Sequence, residues 1–116
     1  MIPFFLNLAN AQGADLLSDL DLPLMAGLTE NQDAALLFDS PEGRIINAEA
    51  NGNIKTADIT FYYNGVLPSL GWNIYSGDCE TGAVECIIAE RENENLALNL
   101  FNKNGLARIT YTLSPK

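Results

Sequence analysis

The sequence predicts an α+β domain: an antiparallel sheet of about five to six strands with one main α-helix packed on one face. Three observations predict it. A single stretch, Thr56 to Trp72, carries apolar residues at helical spacing; the C-terminal half alternates with a period of two; and turn-forming residues separate the alternating runs.

In the helical stretch, Ile59, Tyr62, Tyr63, Val66, Leu67 and Leu70 fall at i, i+3, i+4, i+7, i+8 and i+11, which stacks them on one face. Thr56 is the expected N-cap, and Asp58 lies where the helix dipole favours negative charge. Pro68 disfavours helical geometry at Leu67, Gly65 weakens the last turn, and fraying is expected after Asn64. Gly71 lets the chain swing into Trp72.

Before the helix, Leu24–Leu28 and Ala34–Phe38 are short apolar runs, and Ala14–Leu22 suits a short helical turn ended by Pro23. Ser40-Pro41-Glu42-Gly43 has proline and glycine where a turn needs them, so its flanks should pair as a hairpin, with Ile46, Ala48 and Ala50 on one face. After the helix come Trp72–Ser76, Ala83–Arg91, Leu96–Phe101 and Leu106–Leu113. Glu92 to Asn95 reads as one turn, and Asn104-Gly105 is a strong hairpin signal because both residues tolerate positive φ. The single helix should cover the apolar face of this meander.

Residues 1–13 stand apart from the domain expected over residues 14–116. Ile2, Pro3, Phe4, Phe5, Leu6 and Leu8 precede Ala9-Asn10-Ala11, the pattern of a signal-peptide remnant cleaved after Ala11. The other reading makes Phe4, Phe5 and Leu6 a first strand or docked arm. Either way the run is too short for a transmembrane segment.

Six basic against 15 acidic residues give a formal charge of −9, with no Lys or Arg before Arg44. Nucleic acid, which is gripped through clustered cations, is not an expected partner. The chain contains no histidine, which excludes Ser-His-Asp and Cys-His nucleophiles and His-containing zinc sites. Asp19-x-Asp21 lacks the glycine and terminal glutamate of a calcium loop and reads as solvated charge. Glu85, Glu90, Glu92 and Glu94 are the candidates for a carboxylate pair, but alternation spreads them over strand edges and turns. No catalytic, metal or cofactor-binding residue is assigned.

Cys79 and Cys86 are the only cysteines, and a hairpin through Thr81-Gly82 brings them opposite each other. A structural disulfide is the favoured reading; two separate thiols, or a redox or metal role, are the others. Among the aromatics, Phe61 falls off the helix's apolar face, so it is either exposed or buried by the N-terminal segment. With Tyr62 and Trp72 it makes the candidate interaction surface.

Phe38-Asp39-Ser40-Pro41-Glu42-Gly43-Arg44-Ile45, Tyr62-Tyr63 with Leu67-Pro68-Ser69-Leu70-Gly71-Trp72, and Asp21-Leu22-Pro23-Leu24-Met25-Ala26-Gly27-Leu28 resemble a family of small uncharacterised exported proteins of alphaproteobacteria. The resemblance spans Asp15 to Pro115 and implies a compact α+β domain in the periplasm, with no catalytic residues to carry over. The segment from Asp78 to Cys86 departs from that pattern as an added hairpin tip.

The expectation is therefore a periplasmic or secreted, non-catalytic module that binds an envelope protein or associates with itself, Leu106–Leu113 serving as an edge strand for pairing between chains. A small-ligand carrier with a pocket between helix and sheet is the alternative, and a carboxylate-based enzyme a third.

Overall fold

The two turns on which the sequence reading depends are formed. Ser40 and Gly43 close a two-residue loop between β2 (Leu36–Ser40) and β3 (Gly43–Gly52). Asn104 and Gly105, with φ of 54° and 82°, join β6 (Glu94–Lys103) to β7 (Leu106–Pro115). The computed structural model describes Leu17 and residues 19–116. The candidate leader, its cleavage point at Ala11, and Phe4, Phe5 and Leu6 lie outside the described residues.

The strands form one antiparallel seven-stranded sheet. Its order is β1 (Thr29–Glu30), β3, β7, β6, β5 (Glu85–Arg91) and β4 (Asn73–Tyr75), with β2 also paired to β3. β1 and β2 follow one another along the same edge of β3. A 3-10 turn at Gln32–Ala34 separates them, so that six steps from Glu30 to Leu36 match three steps on β3, from Ala50 to Asn47. β7 lies between β3 and β6, opposite Ile46–Gly52 on one side and Glu94–Lys103 on the other. The expectation that Leu106–Leu113 is an edge strand is thus corrected: β7 is central, because both flanking strands offer ladders of matching length and face. The edges are β4 and the β1/β2 pair.

Register aligns the alternation across the sheet. Ile46, Leu113 and Leu96 lie side by side, as do Ala48, Tyr111 and Leu98, and Ala50, Ile109 and Leu100, and all nine are buried. The helix α1 (Thr56–Ser69) lies on this face over β4, β5 and β6, inserting Ile59, Tyr63 and Leu67, one turn apart each. Burying a side chain of this size contributes about 1.5–3 kcal/mol. The chain from Leu17 to Leu28 completes the cover: Leu17, Leu20, Leu22 and Leu28 are core residues. The expected helical turn over Ala14–Leu22 is only partly within the described residues; where described, Asp19–Leu22 is a run of bends, closed by Leu17 N–H donating to the Leu22 carbonyl.

Both ends of α1 differ from the expectation. Lys55, not Thr56, is the N-cap, without a side-chain capping bond; Thr56 is the first helical residue, and its hydroxyl donates to Glu85 Oε2 at 2.9 Å. At the other end the helix runs unbroken through Pro68 to Ser69. There Gly71, at φ 92°, donates to the Pro68 carbonyl and Trp72 donates to the Leu67 carbonyl, the paired closing bonds of a Schellman motif. Leu67 and Trp72 are both buried, so this closure outweighs the proline and glycine penalties. Leu70, at the C-cap, projects outward instead of joining the apolar face. The turn after β5 is only Glu92-Asn93; Glu94 and Asn95 already belong to β6.

Candidate functional site

Tyr63 and Tyr111 form the polar centre of the core. Tyr63 Oη donates to the Pro23 carbonyl at 2.7 Å and lies 2.7 Å from Tyr111 Oη. A carbonyl only accepts, so Tyr63 spends its one proton there and Tyr111 donates to Tyr63. The chain of two hydroxyls ties helix, central strand and N-terminal cover together. Burial holds Tyr63 neutral, pushing its pKa up to about 12, and raises that of Tyr111 further, the proximity of Tyr63 adding to the effect. A phenol so dry and so fully bonded supports structure.

The candidate carboxylates do not converge. Glu94 Oε2 accepts from Arg44 Nε at 3.0 Å, Glu90 pairs with Lys116 Nζ at 3.0 Å, Glu85 accepts from Thr56, and Glu92 occupies an exposed turn. The Glu94 hydrogen bond, followed by its charge, raises the Arg44 pKa against the opposing cost of burial. Among the described residues no group of three or more His, Cys, Asp or Glu side chains is arranged to hold a metal ion.

Cys79 and Cys86 are joined in a disulfide, with Cα atoms 5.4 Å apart. Cys86 lies on β5 opposite Asn99, on the sheet face away from the helix. The bond fastens the loop from Gly77 to Val84 across that face. Glu80 N–H donates to Asn99 Oδ1 at 2.8 Å, and Val84 N–H donates to the Leu100 carbonyl at 2.8 Å. Asn99 is buried under this loop.

Of the three aromatics expected to share a surface, Phe61 and Tyr62 do so and Trp72 is buried. Phe61 is 83% exposed, and with the half-buried Tyr62 it lines a largely apolar hollow of about 720 Å³ with Met25 and Val66. Trp72 is only 2% exposed, as its role in the helix closure requires, and the Arg91 guanidinium lies 4.3 Å from its ring centre. Its Nε1 is buried with no hydrogen-bond partner among the described residues.

Two surfaces escaped the sequence reading. Leu36, Leu37 and Phe38 of β2 are each more than half exposed, on an edge with no second strand among the described residues. Three successive apolar residues without alternation look like a fully buried strand; their position before Asp39-Ser40-Pro41 gave no sign of an edge. The second surface is a cleft at the Asn104-Gly105 end of the open face, between Phe101, Lys103, Leu106 and Arg108. Two cations flanking one hairpin turn in an acidic chain were the available signal.

No helix among the described residues is long and apolar enough to cross a membrane. Comparisons with protein-family models, with curated proteins and with solved structures find no match to this chain, so the geometry of its own surfaces carries the functional argument.

Proposed function

We propose that the protein is a non-catalytic module of an oxidising, extracytoplasmic compartment that assembles through its free β2 edge, first of all with a second copy of itself. The observation that carries this reading is Leu36-Leu37-Phe38, exposed on both faces of an edge strand whose side away from β3 meets no strand among the described residues. Unpaired N–H and C=O groups template another strand, and folded proteins ordinarily blunt such edges with charge, proline or bulges. Here only Asp39 intervenes before the turn. The disulfide suits an oxidising compartment, as does the resemblance to small exported proteins. The dispersal of the glutamates among separate partners favours a binding role over acid/base chemistry.

An antiparallel pairing of two β2 strands has a natural register. Centred on Leu37, it sets Leu36 against Phe38 of the second copy and Asp39 against Ala35, so no acid faces itself. Each copy carries a formal −9, so the long-range charge opposes the encounter and salt relieves it. A five-residue edge buries less than a standard interface, so the dimer is weak.

Sedimentation equilibrium from micromolar to millimolar protein tests this. The expected result is a monomer–dimer equilibrium that strengthens with added salt and weakens about tenfold or more in Leu37→Lys. A strict monomer across that range, or a dimer indifferent to Leu37→Lys, overturns it.

A further inference from the structure

We propose that the cleft at the β6–β7 hairpin end of the open face is a binding site for a small carboxylate bearing an apolar group. The cleft holds about 360 Å³, within the range of small-ligand sites. Its walls come from register: Asn51, Arg108 and Phe101 lie side by side on β3, β7 and β6, and Lys103 pairs with Leu106 two residues nearer the turn, on the same face. All point away from the helix, since their neighbours Ala50, Ile109 and Leu100 face it.

The charge of this lining is opposite to that of the protein. In a chain with 15 acidic and six basic residues, the described residues that line the cleft include two cations, Lys103 and Arg108, and no carboxylate. Lys103 makes no ion pair among the described residues. Arg108 is positioned: its guanidinium carbon sits 4.1 Å from the Phe101 ring centre, and Nη1 lies 3.7 Å from Glu49 Oε1, a long contact that leaves its other donors available. Phe101 and Leu106 supply an apolar wall for the rest of the ligand, and Asn51 and Asn102 supply polar rim groups. Cations and apolar groups interleave across the cleft, Lys103 opposite Leu106 and Arg108 opposite Phe101, and this mixed lining selects an amphipathic anion over inorganic phosphate or a neutral aromatic.

The disulfide loop forms the mouth. Gly82 lines the cleft at φ 92°, a conformation that favours glycine, and a Cβ there would stand 3.9 Å from Phe101 Cε2, an ordinary contact distance that places the loop beside the aromatic ring. Cys79–Cys86 and the Glu80–Asn99 hydrogen bond hold this glycine in place.

The test is an amide-resolved NMR titration of the full chain with benzoate, with benzamide and inorganic phosphate as controls. Expected are saturable shifts at Gly82, Asn102, Lys103 and Arg108, with affinity for benzoate about tenfold or more above either control. Lys103→Gln, a change on an exposed hairpin strand, should weaken benzoate by about the same factor, and so should Arg108→Gln. The double variant Cys79→Ser/Cys86→Ser should weaken it less, by loosening the mouth. The proposal is overturned if benzoate shifts none of these amides, if its shifts fall at Met25 and Phe61 instead, if benzamide or phosphate binds as well, or if Lys103→Gln binds like the parent. None of these readouts depends on the β2 edge.

Discussion

The two faces of the sheet are made from the same three ten-residue strands, β3, β6 and β7, yet they are closed by opposite means. On the helix side the cover is side chains on side chains: Ile59, Tyr63 and Leu67 share one buried cluster with Ile87, Leu96, Leu98, Leu100 and Ile109, and the Tyr63–Tyr111 hydroxyl pair within it is hydrogen-bonded through to Pro23. On the other side the cover is backbone: a loop held by one disulfide and by hydrogen bonds from Glu80 and Val84, over Asn99, Phe101 and Ile88. Even its glycine fits closely, since a Cβ at Gly77 would stand 3.1 Å from Ile88. The first face stores most of the stability and leaves little to recognise. The second leaves charged and aromatic groups partly open, and candidate binding chemistry concentrates there.

If that division is right, equivalent truncations on the two faces should differ strongly. Leu98→Ala, between Ile87 and Tyr111 in the ladder, leaves a cavity in the dry layer and should cost about 3 kcal/mol in a denaturant titration. A loss below about 1 kcal/mol would mean that the helix collapses into the space and the layer is less rigid than its packing suggests.

Tyr63→Phe removes the donor to Pro23 and leaves the Tyr111 hydroxyl without its acceptor, for an expected cost of about 1–2 kcal/mol. Its pH dependence sharpens the comparison. Below pH 10 tyrosine is neutral in both folded and unfolded chains, so Tyr63 contributes no slope. Above that value the unfolded chain loses the proton first, and stability falls by about 1.4 kcal/mol per pH unit for this one group until its folded value near 12 is reached. Tyr111 acts in the same direction. Alkaline unfolding should therefore set in above pH 10, and Tyr63→Phe should flatten the decline in part; an unchanged slope would show that the pair titrates without resistance from the fold.

Thr110→Val tests the open face at its least demanding point. Thr110 Oγ1 is buried there without a hydrogen-bond partner among the described residues, so a methyl group of similar shape should change stability by less than about 0.5 kcal/mol in either direction. A loss above about 1 kcal/mol would reveal that the hydroxyl is satisfied in solution, for instance by bound water.

What could be read in advance divides along the same physical line. Local signals were sufficient for local structure: the alternation of Leu96, Leu98 and Leu100, the Asn104-Gly105 turn, the Ser40–Gly43 turn and the Ile59–Tyr63–Leu67 stripe each depend on residues a few positions apart. Strand order did not follow, because β7 shows the same one-sided alternation whether it has one neighbour or two. Nor did the place of Leu36-Leu37-Phe38, where an apolar run promised burial and the long-range pairing of β3 with β7 left β2 outside. The expected helical turn over Ala14–Leu22 differs, where described, for a related reason: Leu17, Leu20 and Leu22 are buried in the same cluster as Tyr63 and the sheet, while Asp19–Leu22 is a run of bends. The candidate site divides in the same way: the cysteine pair was visible in its spacing, whereas the cleft required three strands to be laid side by side.

The central position of β7 has a consequence for the order of events during synthesis. Ile46, Ala48 and Ala50 emerge from the ribosome early, but the strand that lies against them spans Leu106–Pro115. Until that stretch is made, β3 and β6 have no neighbour in common, and the hydrophobic layer beneath the helix stays open. The contacts within α1 and within the β2–β3 hairpin are local in sequence; the closing contacts come at large sequence separation, and they come last. A nascent chain halted before Leu106 thus lacks the strand that joins β3 to β6 and leaves apolar surface of both open, the kind of surface that chaperones bind.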